Sequence, residues 1–304
     1  MQQAGMQDSL ALIDVPVPEI DASEVLVRVK AVGVGIQDRW FMPKSAKFPY
    51  AIGIEAAGII EKTGKAVTCY QPGDQVMFTS SMQPKGGVWA EFAAVREEAL
   101  ICIPDGLSFI QAAALPMSGS TALESMRMLG LKPDDTVFMA GASGAIGTLT
   151  IQLAKALGCR VAASASSKNH EYMRSLGAEK TVDYRDPDWT NQVRDWRPGG
   201  VDAALAIQPG TGISCLHVVK DGGTVVTVSG DQLSVERGIR VAQVMVSPET
   251  KKELAHLASE VATGRIHVEI EQVYPFERGV EALEKTETRH ARGKLVLTLE
   301  HNSA

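Results

Sequence analysis

Residues 140–147 read Ala140-Gly-Ala-Ser-Gly-Ala-Ile-Gly147, directly after an apolar strand pattern (136–140) and directly before a helix pattern (144–157) stopped by Gly158. The core Ala142-x-Gly144-x-x-Gly147 is a dinucleotide-binding turn with alanine at its first glycine. Gly144 would let a pyrophosphate approach the backbone, and Gly147 would let the helix pack on the strand. The helix start would meet the anion with unpaired N–H groups and its dipole. Ala142, Ser143, Gly144, Ala145 and Ile146 are therefore candidate cofactor contacts. Such a turn can also be a purely structural corner, but strand, turn and helix all stand in the required order.

The next strand reports on the cofactor. A site for NADH places Asp or Glu about 20 residues on, to hold the ribose 2′-hydroxyl. Here that place reads Ser164-Ala-Ser-Ser-Lys168, and no acidic residue occurs from Ala145 to His170. Ser166, Ser167 and Lys168 suit a 2′-phosphate, which a carboxylate would repel. This points to NADPH; the alternative is that they form a helix cap and a solvated lysine. Tyr184 ends the third nucleotide strand, where its hydroxyl can reach the same phosphate or simply cover the sheet edge. Val228 and Ser229, at the end of a later strand (223–228), complete the candidate cofactor set.

These residues need a scaffold. From Met117 onward, strand and helix patterns alternate: strands at 136–140, 160–164, 180–183, 201–207 and 223–228, with helices at 144–157, 169–176 and near 213–219. That rhythm predicts a Rossmann-type, doubly wound parallel sheet. The first half instead carries short β-rich runs such as 24–30, 56–60 and 74–78, separated by Gly and Pro. After Pro248 follow an amphipathic helix (249–263), a strand (267–273), a helix (277–287) and a final strand (294–299).

The bulk composition narrows the function classes. The chain has 304 residues, is 45% apolar and carries a net charge of −6, which fits a globular protein without global attraction to nucleic acid or anionic lipid. Its four cysteines form no CxxC pair, arguing against a disulfide scaffold or a thiolate zinc site. The opening MQQAGMQDSL shows no secretory signal pattern, so a cytoplasmic location is expected. The apolar stretch 137–158 is broken by glycines, Gln152 and Lys155, and reads as strand, turn and helix rather than a membrane span. A short-chain dehydrogenase, which shares the GASGAIG turn, needs Tyr-x-x-x-Lys. The residues four after the five tyrosines are Ile54, Asp74, Leu176, Asp188 and Arg278.

Across nearly its whole length the chain resembles the medium-chain dehydrogenase/reductases, in particular the zinc-independent, zeta-crystallin-like quinone oxidoreductases. The resemblance rests on Val15-Pro-Val-Pro18, Gly53-Ile-Glu55-Ala-Ala-Gly58, Gly73-Asp-Gln-Val76, Gly86-Gly-Val-Trp-Ala-Glu91, Leu115-Pro-Met-Ser-Gly-Ser-Thr-Ala122 and Arg292-Gly-Lys294-Leu-Val-Leu. It implies an α/β fold with a β-rich GroES-like catalytic domain (1–119 and 249–304) around a Rossmann NADP-binding domain (120–248). It also implies contacts from Ser118 and Thr121 to the nicotinamide or its ribose, and a homodimer, which is expected as well because 238–246 reads as an edge strand of the nucleotide sheet. N-capping of a helix is the plainer role for Ser118 and Thr121. Thr181-Val-Asp-Tyr-Arg185 resembles the family's V-x-Y-R stretch, which supports the phosphate role of Tyr184.

Departures from the family pattern sharpen the chemistry. Where zinc alcohol dehydrogenases carry ligands, this chain has Gly35, Ile54 beside Glu55, and Met117. Quinone reductases commonly have Asn-Pro where this chain has Gly35-Ile36, so a polar group near the nicotinamide is lost. Without a Lewis acid, hydride needs an intrinsically electrophilic acceptor: a quinone or an α,β-unsaturated carbonyl. Tyr50 is a candidate to orient the substrate oxygen or, equally, a packed surface tyrosine. Trp40 and Phe41 are pocket or loop residues, and Glu55 is expected in a buried ion pair. Two alternatives stay open: an enoyl-thioester reductase, and an NADPH-binding structural or RNA-binding protein of the crystallin type.

Overall fold

The computed structural model describes residues 10–80, 82–234, 237–245 and 247–299. The first half forms β1 (Glu24–Val34), β2 (Glu55–Thr63), β3 (Gln75–Thr79), β4 (Phe92–Arg96) and β5 (Leu100–Cys102). Two helices lead out of it, α1 (Phe109–Ala113) and α2 (Pro116–Leu129). The middle alternates β6 (Thr136–Ala140), α3 (Ala145–Ala156), β7 (Arg160–Ser164), α4 (His170–Ser175), β8 (Lys180–Val182), α5 (Trp189–Trp196), β9 (Val201–Ala206), α6 (Gly212–Val218), β10 (Val219–Thr227) and β11 (Arg240–Gln243). The chain closes with α7 (Thr250–Ala262), β12 (Ile270–Pro275), α8 (Gly279–Glu287) and β13 (Lys294–Thr298).

Two sheets result. In the middle unit every strand pairing is parallel, in the order β11-β10-β9-β6-β7-β8. Read from β6 outward, the chain winds to β7 and β8 on one side and β9, β10 and β11 on the other, the Rossmann order with its switch point between β6 and β9. Both faces are covered, so these strands need no polar face. Val137 and Met139 of β6 pack on one side with Ile151 of α3, and Phe138 and Ala140 on the other with Val193 and Cys215.

The other sheet runs β12-β13-β1-β2-β3-β5, with β4 also on β1. The long β1 carries two neighbours along one side, β4 on residues 24–28 and β13 on residues 31–34, so the last strand of the chain inserts beside the first. This is the GroES-like unit of the α/β fold. A shared core lies between the sheets, where Leu115 just before α2, Leu149 of α3, Leu254 and Leu257 of α7 and Val296 of β13 meet.

Several boundaries differ from the sequence expectation. The strand expected at 267–273 starts at Ile270, because residue 267 gives its N–H and carbonyl to the Gln152 side chain (2.8 Å each) rather than to a strand. β10 begins at Val219 rather than 223, with an irregular pairing to β9 between Val219 and Thr224, where Gly222 takes φ +72°. The edge strand expected at 238–246 is confined to Arg240–Gln243, and Val246 lies outside the described residues. The four cysteines are free, Cys159 and Cys215 buried.

Candidate active site between the two sheets

The nucleotide turn forms as its glycines require. Gly141 takes φ +79°, turning the chain sharply off β6. A Cβ on Gly147 would stand 2.5 Å from the Ala142 backbone, so only glycine lets α3 pack this close to the turn. Gly144 is the opposite case: a Cβ there would meet nothing nearer than 3.8 Å. That open side faces the start of α3, a helix whose first turn has no side-chain cap. The turn thus offers an open backbone face at an uncapped helix start, which fits a pyrophosphate.

A cleft of about 450 Å³ opens beside it at the switch point. One wall comes from the parallel sheet: Gly144, Ala145 and Ile146, the residues after β9 (Ile207, Gln208, Pro209), and Val228 with Ser229. The other wall is Val34–Gln37, the start of α2 with Met117, Ser118 and Thr121, and the entry to β13 at Gly293 and Lys294. The two walls touch directly. Gly293 N–H donates to the Ser143 carbonyl at 2.9 Å, and Gly144 and Gly293 form a parallel bridge.

Beneath the second wall lies a cluster of buried charges. Glu55 is 1% exposed; one carboxylate oxygen accepts from the Met117 N–H at 2.7 Å, and the other takes the Lys294 ammonium. Glu55 therefore caps α2, whose Pro116 start leaves Met117 as an orphan donor, and an anion there suits the helix dipole. Asp38, 2% exposed, accepts from the Gly35 N–H at 2.9 Å. Burial pushes its carboxyl up to about 7, opposed by the Gly35 N–H and by the charge of Lys294. With Asp38 protonated, the cluster holds one carboxylate and one ammonium and is neutral.

The expected site residues divide into those the cleft gathers and those it does not. Ser118, Thr121, Gly144, Ala145, Ile146, Val228 and Ser229 line it. Ser118 and Thr121 do not cap a helix; their hydroxyls donate back to Ala114 and Met117 carbonyls at 2.6 and 2.7 Å. Ala142 is buried beneath the turn, and the Ser143 hydroxyl accepts from Asn169. Tyr50 is not brought to the cleft wall: its hydroxyl donates to the Gln83 carbonyl at 2.7 Å, fixing the 82–84 loop. Trp40 and Phe41 stand exposed outside the cleft.

The far end of the nucleotide wall holds a residue that the sequence reading passed over. Ser167 and Lys168 are exposed beyond β7, and Tyr184 is 48% exposed beyond β8. Between them Asp183 accepts the Ser167 N–H at 2.9 Å and is gripped by Arg185 through two bonds of 2.9 and 2.6 Å. The Arg185 side chain holds the Asp183 carboxyl well below the usual range. One carboxylate therefore stands beside the Ser167 backbone, neutralised by Arg185, with Lys168 exposed next to it. The signal was a strand further on than the usual acidic position, visible only after β7 and β8 pair.

Zinc does not fit the second wall. Gly35 and Ile54 carry no donor atom, Met117 only a thioether, and Glu55 is already held by an ammonium. Among the described residues no group of three or more His, Cys, Asp or Glu could hold a metal ion.

A Rossmann sheet joined to a GroES-like sheet, with a dinucleotide turn at the switch point, defines a nucleotide-dependent oxidoreductase. Residues 21–105 match the alcohol dehydrogenase GroES-like domain, and residues 176–297 match the family described as zinc-binding dehydrogenase. An NADPH-dependent alkenal/one oxidoreductase of Arabidopsis thaliana is 31% identical over 93% of this chain and 74% of its own length. A trans-enoyl reductase of Aspergillus terreus is 34% identical over 76% of this chain and 79% of its own. The solved quinone oxidoreductase of Coxiella burnetii superposes with a TM-score of 0.87 at 28% identity, covering 97% of this chain and 96% of that one. The chain belongs to the medium-chain dehydrogenase/reductase family and is an oxidoreductase.

Proposed function

We propose that this chain is an NADPH-dependent, zinc-independent reductase that delivers hydride to a quinone or an α,β-unsaturated carbonyl compound. The observation that carries this reading is the cleft itself: a nucleotide turn faces a wall where an ammonium–carboxylate pair stands in place of metal ligands. When bound, the reduced nicotinamide supplies hydride; the acceptor must be electrophilic without help from a Lewis acid. The relatives named for alkenal/one and quinone substrates support that class.

The chain's own residues divide the work. The N–H groups of Gly144, Ala145 and Ile146 hold the pyrophosphate, on a turn shaped by Ala142 and Ser143. Ser118, Thr121, Val228 and Ser229 surround the nicotinamide end. Ser166, Ser167, Lys168 and Tyr184, with Arg185, surround the adenosine 2′-phosphate. Residues 1–119 and 249–304 serve the substrate side, and 120–248 the nucleotide side. No helix among the described residues is long and apolar enough to cross a membrane. We assign the protein to the cytoplasm with a small-molecule substrate and no nucleic-acid partner. The edge strand β11, followed by Met245 at 70% exposure, is the surface on which a homodimer would pair.

The test is steady-state oxidation of NADPH with 9,10-phenanthrenequinone, a simple enone and a crotonyl thioester, before and after treatment with a chelator. Turnover of quinone or enone that survives chelation supports the reading. Turnover of the thioester alone transfers it to the enoyl reductases, as the Aspergillus relative suggests. NADPH binding without turnover of any acceptor leaves the crystallin-type role.

A further inference from the structure

We infer that the side-chain amide of Gln37 binds the carbonyl oxygen of the acceptor, and that the cleft is accordingly matched to enones and enals that need such a donor. This rests on the reductase reading above and names the residue that selects its substrate. Gln37 lies on the wall opposite the nucleotide turn, the exposed end of the half-buried run Gly35–Ile36–Gln37 that lines the cleft.

Three observations converge on it. First, the backbone around Gln37 is fixed while its amide is free. Asp38 N–H donates to the Gly35 carbonyl at 3.1 Å and Gly35 N–H to the buried Asp38 carboxylate at 2.9 Å, closing a tight turn. The Gln37 carbonyl accepts from Trp40 and Phe41 at 2.8 and 2.9 Å. The Gln37 side chain has no hydrogen-bond partner among the described residues.

Second, the hydroxyls and the ammonium of the cleft are engaged elsewhere, and its other amide, Gln208, meets the Arg289 guanidinium away from Gln37. The hydroxyls of Ser118, Thr121 and Thr286 donate to helix carbonyls at 2.6, 2.7 and 3.0 Å. The Ser229 hydroxyl donates to Asp231 at 3.1 Å. Lys294 is held by Glu55, and Arg289 reaches Gln208 at 3.3 Å. Gln208 itself packs over Gly141 on the nucleotide wall, its Cγ 2.6 Å from where a Cβ on that glycine would stand.

Third, the neighbouring glycine makes room for the amide. A Cβ on Gly35 would stand 3.3 Å from Gln37 Oε1, so the carboxamide folds over the space that a side chain at 35 would fill. The polar group lost at position 35 is regained two residues on.

The chemistry fits a neutral donor. As hydride adds to the β-carbon, the C=C electron pair moves to make the Cα=C bond of an enolate, and the carbonyl pair moves onto oxygen. The Gln37 N–H stabilises that oxyanion without giving up its proton. The α-carbon then takes a proton from water, leaving hydroxide, so the product gains one hydride, which carries the two electrons, and one proton. A diketone quinone is electrophilic enough to depend on the donor less.

Gln37→Leu keeps the bulk and removes the amide. With NADPH saturating, its kcat/KM for a linear enone such as 3-penten-2-one should fall about 10- to 100-fold. Reduction of 9,10-phenanthrenequinone should stay within about threefold, while NADPH affinity and thermal midpoint hold. Gln37→Glu adds a readout that a spacer role would not move: its enone rate should lie below that of Gln37→Leu at pH 8 and recover as the pH falls and the carboxylate is protonated. Unchanged enone kinetics in Gln37→Leu, or equal losses on enone and quinone, would overturn the assignment alone. A wild-type protein that binds NADPH yet reduces neither acceptor would remove the reductase reading and this assignment together.

Discussion

The nucleotide wall of the cleft works with backbone, and the facing wall works with side chains. On the first, Gly144 leaves a gap and α3 starts without a side-chain cap, so the site is backbone that no side chain covers. On the second, Glu55, Lys294 and Asp38 are buried ionisable groups from β2, β13 and the loop after β1, and the wall exists only once three distant segments meet. A backbone site tolerates change at most positions except its glycines. A buried-charge site fails when one partner is lost. The following tests probe that contrast.

The largest effect is expected at Lys294→Met. It leaves the Glu55 carboxylate buried beside Met117 N–H without its cation, a loss of about 3–5 kcal/mol in stability. Equilibrium urea unfolding measures it, and Lys294→Met combined with Glu55→Gln should recover part of the loss because no uncompensated charge remains. A single-variant loss below about 1 kcal/mol would mean the pair is solvated.

Next comes the pH dependence of Asp38. Its carboxyl is raised to about 7 in the fold, so the folded state binds the proton more tightly than the unfolded chain. Its contribution to stability is full below about pH 4 and is lost as pH rises to about 7, up to about 4 kcal/mol in total. Asp38→Asn fixes the neutral form and keeps an acceptor for Gly35 N–H. Across pH 5–8 the wild type should lose stability relative to this variant; parallel curves would show that Asp38 ionises normally.

On the nucleotide wall, Lys168→Ala should weaken NADPH by about 1.5–3 kcal/mol with little change for NADH. Gly147→Ala should cost about 1–3 kcal/mol in stability, because the new Cβ meets the Ala142 backbone. Gly144→Ala, with open space around it, should fold normally and lose cofactor affinity instead. The smallest expected effect is Tyr184→Phe, which deletes one hydroxyl from an exposed ring and should lower NADPH affinity by about 0.5–1.5 kcal/mol. Isothermal titration with both cofactors resolves these cases, and an unchanged NADPH-to-NADH ratio would return Tyr184 to covering the sheet edge.

The same contrast explains what could be read from the sequence. The turn at 140–147 and the strand–helix alternation around it are local patterns, and β6 and β7 begin and end where the apolar runs do. Glu55 in a buried ion pair was also legible, though not its partner: Lys294 is 239 positions away and reaches it only after β13 inserts beside β1. Asp183 escaped for a similar reason, since strand pairing alone brings it to Ser167. Gln37 carried no signal at all, because an exposed glutamine becomes a site residue only when its neighbours' donors prove to be engaged. Tyr50 drew attention as an aromatic hydroxyl near the cleft, but a backbone carbonyl at Gln83 claims that hydroxyl.

The bond from Gly293 N–H to Ser143 has one more consequence. It ties the glycine turn to the strand that completes the other sheet, and Leu149 of α3 shares a core with Leu254 and Val296. The two units therefore have no seam along which one could melt while the other survives, and a calorimeter should record a single endotherm whose van't Hoff and calorimetric enthalpies agree. Cofactor held at the turn would then protect the whole chain: at a concentration 100 times its dissociation constant it adds about 2.7 kcal/mol, felt as much by β13 as by β6.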